Sequence, residues 1–209
     1  MAANAEGAAV AMKYDWAKHW FARPPGRGPA EWMCTFSGVQ YFPANPRVED
    51  VRIVDIAHHL ARLCRFTGAI KPEHYSVAEH SVHVSHTVPP EHAFAGLMHD
   101  APEAYMNDVN RPLKRSLPDY KRIEQLNWAV IAEKFGLPPE LPPEVHEADV
   151  AVFFTEQALL LPPMPARDEH DAKARAPVEI LSLGPNAAER LFLTRFYELS
   201  GWPYLREYA

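Results

Sequence analysis

Two side chains that commonly bind metal ions, His99 and Asp100, stand next to each other at the end of the apolar run 93–98. Apolar residues carry such a run into a protein interior, where burying an unpaired imidazole and carboxylate costs several kcal/mol. A divalent cation removes that cost because it binds both groups. Metal binding is therefore the first hypothesis for this dipeptide.

The same dipeptide occurs again at His170-Asp171, which serves as an internal comparison. That copy lies in the charged stretch 167–173 and has no apolar flank, so we interpret it as part of a solvated loop. The dipeptide alone is not specific, and the argument has to come from the elements around the first copy.

Two predicted helices carry the first set of candidate residues. Ser76 and Glu79 have the spacing of a capping box and predict a helix through Thr87, with His80 in its first turn. Pro89-Pro90 opens the next predicted helix, which carries His99 and Asp100, and Pro102 should kink it just beyond them. Glu103 lies four residues after His99 and therefore shares its face.

A third predicted helix runs from Pro142-Pro143 to about Leu161 and carries Asp149 in its apolar stripe. The inward positions of that stripe are Val145, Ala148, Val152, Phe153 and Leu159. A carboxylate among them needs a partner, which could be an arginine, helix N–H groups or a metal. The sequence leaves these three alternatives open.

The remaining pattern predicts an all-α fold: a helical bundle with a small N-terminal hairpin and a C-terminal helix. We expect an N-terminal extension over 1–45, which is loosely ordered up to about residue 30 and contains a hairpin at 33–43. A helical domain should follow over 46–161. After it we expect a Pro-rich excursion over 162–185 and then a helix packed on the domain. Three further helices are predicted. One runs from Val48 to Cys64, and Gly68 ends this region. Another runs from Tyr120 to Phe135, with Asp119 as its cap and Gly136 as its stop, and the last begins at the cap Asn186 and runs to Ser200, with Gly201 as its stop.

Composition narrows the class of protein. The chain has 209 residues, 47% of them hydrophobic, which is enough for one compact domain with extensions. A net charge of −6 argues against a dedicated nucleic-acid binder. The two cysteines, Cys34 and Cys64, lack metal-ligand spacing and are typical of reduced thiols, and no apolar run reaches membrane-spanning length. We therefore expect a cytoplasmic protein without a membrane segment.

Basic residues flank the acidic candidates. Arg65 follows the predicted helix from Val48 to Cys64, and at this end of the helix it could complement the helix dipole or contact an anion. Lys114 or Arg111, in the basic loop 109–115, could meet a phosphate, although ordinary surface charge explains Arg111 and Arg115 equally well.

Together, His80, His99, Asp100 and Asp149 form a mixed nitrogen and oxygen ligand set on three predicted helices, a common way to build a metal site in a bundle. Such a set suits Mn, Co, Zn, Fe or Ni better than Ca, and it leaves coordination positions for water and substrate.

The order His … His-Asp … Asp resembles the HD-domain superfamily of metal-dependent phosphohydrolases. The resemblance extends to further motifs over residues 53–161, in the order seen in bacterial 5′-deoxynucleotidases and the related small viral dATP triphosphohydrolases. These motifs are residues 77–81, 98–103, 107–108, 112–114, 120–124 and 147–149.

This resemblance implies roles for individual residues. His80, His99, Asp100 and Asp149 would bind the metal, Glu103 would orient or deprotonate the attacking water, and Asp108 would act as an acid or positioning group on the phosphate side. Arg65 would contact phosphate, and Lys114 matches a basic position near the site. Phe66 stands where the bacterial enzymes have a tryptophan, so an aromatic face for a base or sugar is kept and a hydrogen-bonding edge is lost.

The sequence thus predicts a metal-dependent phosphohydrolase that releases phosphate from (2′-deoxy)nucleoside monophosphates. The main alternative is a deoxynucleoside triphosphate triphosphohydrolase in the same site. Others are a non-catalytic nucleotide-binding regulator and a purely structural helical protein. An enzyme of the same superfamily acting on cyclic or hyperphosphorylated guanosine nucleotides fits the matching motifs less well. The expected partner is a small nucleotide, and members of the resembled family commonly form homo-oligomers.

Overall fold

The structure is a computed structural model that describes residues 32–163 and 175–203. The predicted loose segment 1–30, the second His-Asp dipeptide at 170–171 and the central part of the 162–185 excursion lie outside the described residues.

Helices dominate the described chain, and the prediction of an all-α fold with a small N-terminal hairpin and a C-terminal helix is confirmed. The hairpin strands are β1 (Met33–Cys34) and β2 (Gln40–Tyr41), which pair antiparallel. The α-helices are α1 (Ile53–Leu60), α2 (Val77–Thr87), α3 (Ala93–Met98), α4 (Glu103–Met106), α5 (Arg111–Lys114), α6 (Pro118–Phe135), α7 (Pro143–Leu160) and α8 (Pro185–Ser200). Short 3-10 turns occupy Val48–Asp50, Arg65–Gly68 and Pro90–His92. None of the helices in the described ranges is long and apolar enough to cross a membrane.

The hairpin is attached to α1 by a buried carboxylate. Asp55, fully buried in α1, accepts hydrogen bonds from the Ser37 backbone N–H at 2.6 Å and the Ser37 hydroxyl at 2.8 Å. Tyr41 in β2 stacks on Tyr105 of α4 with ring centroids 3.8 Å apart. A two-residue pairing is too short to be stable alone, so these contacts are what hold the hairpin in place.

The C-terminal helix lies within the core. Ala188, Phe192 and Phe196 of α8 are fully buried and share one hydrophobic cluster with residues of α1, α2 and α3, including Ile56 and Leu97. A second cluster joins α2 to α7 through four valines: Val84, Val88, Val145 and Val152. The apolar residues of α8 thus belong mainly to the first cluster and those of α7 to the second, and Leu199 of α8 packs against both.

Gly96 allows α3 to approach α2 closely. A Cβ atom at this position would lie 3.1 Å from Val88 Cγ2 and 3.3 Å from the Ser85 Cα. This approach brings His99, at the end of α3, next to His80 in the first turn of α2, with ring centroids 5.3 Å apart.

Several predicted element boundaries are wrong. The segment predicted as one helix from Val48 to Cys64 is a 3-10 turn followed by α1, because Val51 and Arg52 between them are extended. Such a break escapes detection because the buried Val51 continues the apolar period.

Two predicted caps do not act as caps. Helix α6 begins at Pro118 rather than after Asp119, and α8 begins at Pro185 rather than after Asn186. Proline at the first helical position is preorganised for the helix and lacks the N–H that a cap would satisfy, which explains the earlier start.

Other local predictions have a mixed outcome. Gly136 and Gly201 end their helices in the left-handed conformation, as expected. Leu159, predicted to point inward, is 55% exposed, whereas its neighbour Leu160 is the buried leucine at this end of α7. Cys34 and Cys64 are free thiols, as expected.

Candidate metal centre

Three helices bring the predicted ligands together. His80 is fully buried in the first turn of α2, where the Ser76 side chain caps the helix by accepting from the Glu79 N–H at 3.1 Å. His99 lies immediately after α3, and Asp149 lies in the second turn of α7. Ligand atoms of these three side chains all lie within 4.8 Å of one another, which makes them a candidate metal-binding triad.

Hydrogen bonds fix the orientation of both imidazole rings. His99 Nδ1 is 2.8 Å from the carbonyl oxygen of Gly96, and His80 Nδ1 is 2.6 Å from Glu156 Oε1. Both partners accept, so both Nδ1 atoms carry the proton, and each Nε2 of a neutral ring presents a lone pair. Donation from Nδ1 to a carbonyl or carboxylate is the arrangement of metal-binding histidines.

The two Nε2 atoms are buried and have no hydrogen-bond partner in the described chain. His80 Nε2 lies 3.2 Å from Asp149 Oδ1, and His99 Nε2 lies 3.2 Å from Asp100 Oδ2. Lone pairs that face carboxylate oxygens in a protein interior need a cation between them. A proton or a divalent metal can fill this role, and the residues present fit a metal.

Asp100 stands beside the triad. Its Oδ2 lies 3.7 Å from His80 Nε2 and also 3.7 Å from Arg65 Nη1. All four predicted ligands therefore meet in one place, although which of them coordinate a metal stays a prediction.

The close approach of these charged groups shifts the pKa values of His80, Asp100 and Asp149. Burial and Arg65 lower the pKa of His80, but Glu156 and Asp149 outweigh them and raise it to about 9. Burial raises the pKa of Asp149 and of Asp100, but the neighbouring imidazoles outweigh it and hold both carboxyls below their usual range. The site thus favours carboxylates that surround a positive charge.

Glu156 is a residue that the sequence prediction missed. Its carboxylate is fully buried in α7 and accepts from the Tyr75 hydroxyl at 2.7 Å and from Arg65 Nε and Nη2 at 3.1 and 2.9 Å, in addition to His80. Burial raises its pKa, but Arg65 and His80 lower it more, to about 2. The available signal was its position seven residues after Asp149, which is two helical turns along the same face.

Glu103, the predicted water-orienting residue, is buried at the start of α4. Its Oε2 has no hydrogen-bond partner in the described chain, and Oε1 is 3.9 Å from Lys114 Nζ. Burial, followed by the charges of Asp100 and Asp108, raises the pKa of Glu103 well above its usual value. Asp108 is half-buried, and burial likewise raises its pKa.

The two predicted phosphate-contacting cations are already held by carboxylates. Arg65 has a side chain only 11% exposed and is bound by Glu156. Lys114 Nζ hydrogen-bonds Glu124 Oε1 and lies near Glu103.

A cleft of about 730 Å³ opens over these groups. Its lining includes two aromatic rings, Phe66 and Phe153, with centroids 5.7 Å apart. The charged lining residues include Asp100, Glu103, Asp108, Asp149 and Lys114. The volume is that of a small-molecule site, and its wall combines apolar rings with charged groups.

The wall at Phe66 has a strained backbone. Phe66 and Thr67 adopt φ values of 55° and 57°, the left-handed region, which side chains of their type rarely adopt. Such conformations cost about 1–3 kcal/mol each and cluster at functional sites. Phe66 lines the cleft in this strained conformation, and its contact with a base or sugar stays a prediction.

Comparison with known proteins gives relatives for most of the chain. The chain is 41% identical over 176 residues to the uncharacterized protein YfdR of Escherichia coli, which covers 79% of this chain and 94% of the relative. It is 32% identical over 126 residues to the uncharacterized protein RCAP_rcc00048 of Rhodobacter capsulatus, which covers 56% of this chain and 64% of that relative. No family model matches the chain.

Proposed function

This chain belongs to the family of the Escherichia coli protein YfdR, and we propose that it is a divalent-metal-dependent phosphohydrolase that releases phosphate from 2′-deoxynucleoside monophosphates. The observation that carries the proposal is the pair of buried, unpartnered Nε2 atoms of His80 and His99 directed at carboxylates. The resemblance to HD-domain phosphohydrolases in residues 53–161 supports the reaction class and the nucleotide substrate.

His80, His99 and Asp149 would hold the metal, with Asp100 beside them. A bound divalent cation supplies a lowered pKa for coordinated water and screens the charge of the phosphoryl group. Glu156 and the Gly96 carbonyl keep the two Nε2 lone pairs directed at the site, so neither ring has to reorient on binding.

Glu103 is the residue best placed to handle the attacking water. Its Oε2 is buried and lacks a partner, so it can accept a hydrogen bond from a water that enters the cleft. Its raised pKa suits a general base, which must take a proton from water and later release it. Asp108, with its own raised pKa, can supply a proton on the phosphate side, and Lys114 can stabilise phosphoryl oxygens.

The charge of the cleft favours a monophosphate. Its charged lining consists of four cationic side chains, Arg65, Arg111, Lys114 and Arg115, and four carboxylates, Asp100, Glu103, Asp108 and Asp149. Arg65 and Lys114 are already paired with Glu156 and Glu124, so little positive charge beyond that of the metal is left to offset the substrate. A triphosphate carries more negative charge than a monophosphate and would be offset less completely in the same space.

Product analysis tests the proposal. Purified protein, stripped of metal and reloaded with Mn or Co, is given dAMP and dATP in parallel, next to His99→Ala. His92→Ala is the matched control, because His92 is a half-exposed histidine outside the site. We expect free phosphate from dAMP with the wild type and His92→Ala, and none with His99→Ala.

Other outcomes decide between the alternatives. Tripolyphosphate from dATP, with no phosphate from dAMP, would make the protein a triphosphohydrolase. Hydrolysis of neither nucleotide with any metal would contradict the catalytic proposal and favour a nucleotide-binding regulator.

A further inference from the structure

We propose that Arg111 provides the main guanidinium contact to the phosphoryl group of the substrate, a role that the family resemblance assigns to Arg65. This inference rests on the proposed function and specifies how that site holds its phosphate.

Arg111 lies one carboxylate away from the candidate metal ligands. It begins α5, whose start is fixed by Asn110, since Asn110 Oδ1 accepts from the Leu113 N–H at 3.2 Å. Arg111 Nη2 is 2.9 Å from Asp149 Oδ2, and the other oxygen of the same carboxylate, Oδ1, is 3.2 Å from His80 Nε2. Asp149 therefore faces the metal centre with one oxygen and Arg111 with the other.

An aromatic ring supports the guanidinium in this place. The Cζ atom of Arg111 lies 5.1 Å from the ring centroid of Phe153, within the range of a cation–π contact. Phe153 follows Asp149 by one turn of α7, so one face of this helix binds Arg111 at two points. Both Arg111 and Phe153 line the cleft.

Arg111 and Arg65 differ in exposure and in how many of their N–H donors are already bound to carboxylates. Arg65 has a side chain 11% exposed, directs Nε and Nη2 at Glu156 and has Nη1 near Asp100. Arg111 has a side chain 51% exposed and makes one hydrogen bond, to Asp149, among the residues that the structure describes. A guanidinium has five N–H donors, so most of those of Arg111 are available to phosphate oxygens in the cleft.

The free-energy cost of separating each arginine from its carboxylate also favours Arg111 as the phosphate contact. The Arg111–Asp149 ion pair is weaker than a fully buried one, because water solvates the half-exposed Arg111 and competes with the contact. Separating the buried Arg65–Glu156 pair would leave an uncompensated charge in the interior, which is strongly unfavourable. Arg111 can share or exchange its contact when a phosphate arrives, whereas Arg65 is kept on Glu156.

Three binding measurements on Arg111→Ala test this role. Isothermal titration calorimetry gives the Kd for Co and, on the Co-loaded protein, the Kd for inorganic phosphate. Inhibition of dAMP hydrolysis by 2′-deoxyadenosine, which lacks the phosphate, reports the nucleoside contact. Arg122→Ala is the matched control, because Arg122 is an exposed arginine of α6 that pairs with one carboxylate of the described chain, Asp119, outside the cleft.

We expect Arg111→Ala to raise the phosphate Kd and the KM for dAMP between about tenfold and a hundredfold, the range of a lost hydrogen bond to a charged group. The Kd for Co and the inhibition constant of deoxyadenosine should stay within about threefold of the wild type, and Arg122→Ala should leave all values unchanged.

Two results would overturn the inference. A weakened Co affinity that accounts for all of the lost phosphate binding would mean that Arg111 acts only by positioning Asp149. An unchanged phosphate Kd in Arg111→Ala, or no phosphate binding by the wild type, would mean that Arg111 does not bind the phosphoryl group. Because phosphate binding is read by heat, the comparison decides on Arg111 even if no nucleotide is hydrolysed and the proposed function fails.

Discussion

At the scale of single residues, the sequence identified the groups that the structure brings together and missed the one that orients them. His80, His99, Asp100 and Asp149 were recognisable because each is a metal-ligand type in an apolar context. Glu156 was not, because glutamate is an ordinary helix former and its burial depends on Arg65 and Tyr75, which come from another part of the chain. Tertiary contacts of this kind leave no periodic signal.

We predict that Glu156→Gln weakens metal binding by about tenfold to a hundredfold, the usual effect of losing the carboxylate behind a metal-binding histidine. The amide keeps the size of the side chain but no longer favours the proton on His80 Nδ1, so the Nε2 lone pair is less available. The measurement is the Kd for Co by calorimetry, together with the visible spectrum of the bound Co, which reports ligand geometry.

The matched control for this prediction is Glu189→Gln. Glu189 also bridges a histidine and an arginine, His58 at 3.2 Å and Arg62 at 2.7 Å, but lies away from the cleft. An equal loss of Co affinity in both variants would show that Glu156 acts through general stability.

At the scale of elements, Glu79 has a different role from the one its motif predicts. In a capping box the glutamate would return to the cap N–H, yet its carboxylate instead accepts from three successive backbone N–H groups, those of Leu181, Ser182 and Leu183, at 2.7–2.9 Å. Ser182 adopts a φ of 53° in this turn. One fully buried carboxylate on α2 thus anchors the segment that leads into α8.

We predict that Glu79→Gln lowers the free energy of unfolding at pH 7 by about 1–3 kcal/mol, because a charged acceptor of three N–H groups is lost. Burial raises the pKa of Glu79, but its hydrogen bonds to His83 and the backbone N–H groups lower it more, to a value below its usual one. Its contribution is therefore fully present above the unfolded pKa of about 4.3 and lost as the pH falls through the folded pKa. Urea denaturation of both proteins should show a constant difference at neutral pH that shrinks below about pH 4.

The control for the anchoring carboxylate is Glu198→Gln, since Glu198 is 55% exposed and its ion pair is with Arg195 on the same helix. This substitution should change stability by less than about 0.5 kcal/mol. A Glu79→Gln difference that grows on acidification would refute the assigned direction of the shift.

Helix crossing at Gly96 yields a second prediction at this scale. Gly96→Ala places a methyl group 3.3 Å from the backbone of Ser85, which cannot move without displacing α2. We expect the steric cost, about 1–3 kcal/mol for an overpacked contact, to outweigh the gain of roughly 1 kcal/mol in helix propensity. Thermal unfolding should show a lower Tm, and the Kd for Co should rise because His80 and His99 are moved apart. A raised Tm would show that α2 and α3 can separate freely.

At the scale of the whole molecule, the parts of the fold that could be predicted are those that local sequence patterns indicate. Helices α2 and α7 were found because capping residues, prolines and apolar periods agree there. The break at Val51 and Arg52 and the strained turn at Phe66 and Thr67 were not predicted, because residues of these types carry no local signal for a break or a left-handed conformation. The predicted division into an extension, a helical domain and a C-terminal part stays a prediction.

Because the candidate ligands come from three helices, we predict that a bound metal stabilises the entire bundle. At a free concentration one hundred times its Kd, a ligand that binds only the folded state adds about 2.7 kcal/mol. For a chain of this size that corresponds to a rise in Tm of roughly 5–10 °C. Differential scanning calorimetry with Co and with a chelator measures the shift, which should vanish in His99→Ala and persist in His92→Ala. An equal shift in His99→Ala would place the bound metal elsewhere.

The burial of α8 also has a consequence for how the protein is made. Phe192 and Phe196 are fully buried in the main core, so α1, α2 and α3 cannot fully bury their apolar faces until α8 has been synthesised. Synthesis runs at about 5–20 residues per second from the N-terminus, and the nascent chain exposes that apolar groove throughout the interval before α8 emerges. Folding of this bundle is therefore completed only after α8 has been synthesised, and until then the unfilled groove exposes apolar surface of the kind that aggregates or binds chaperones.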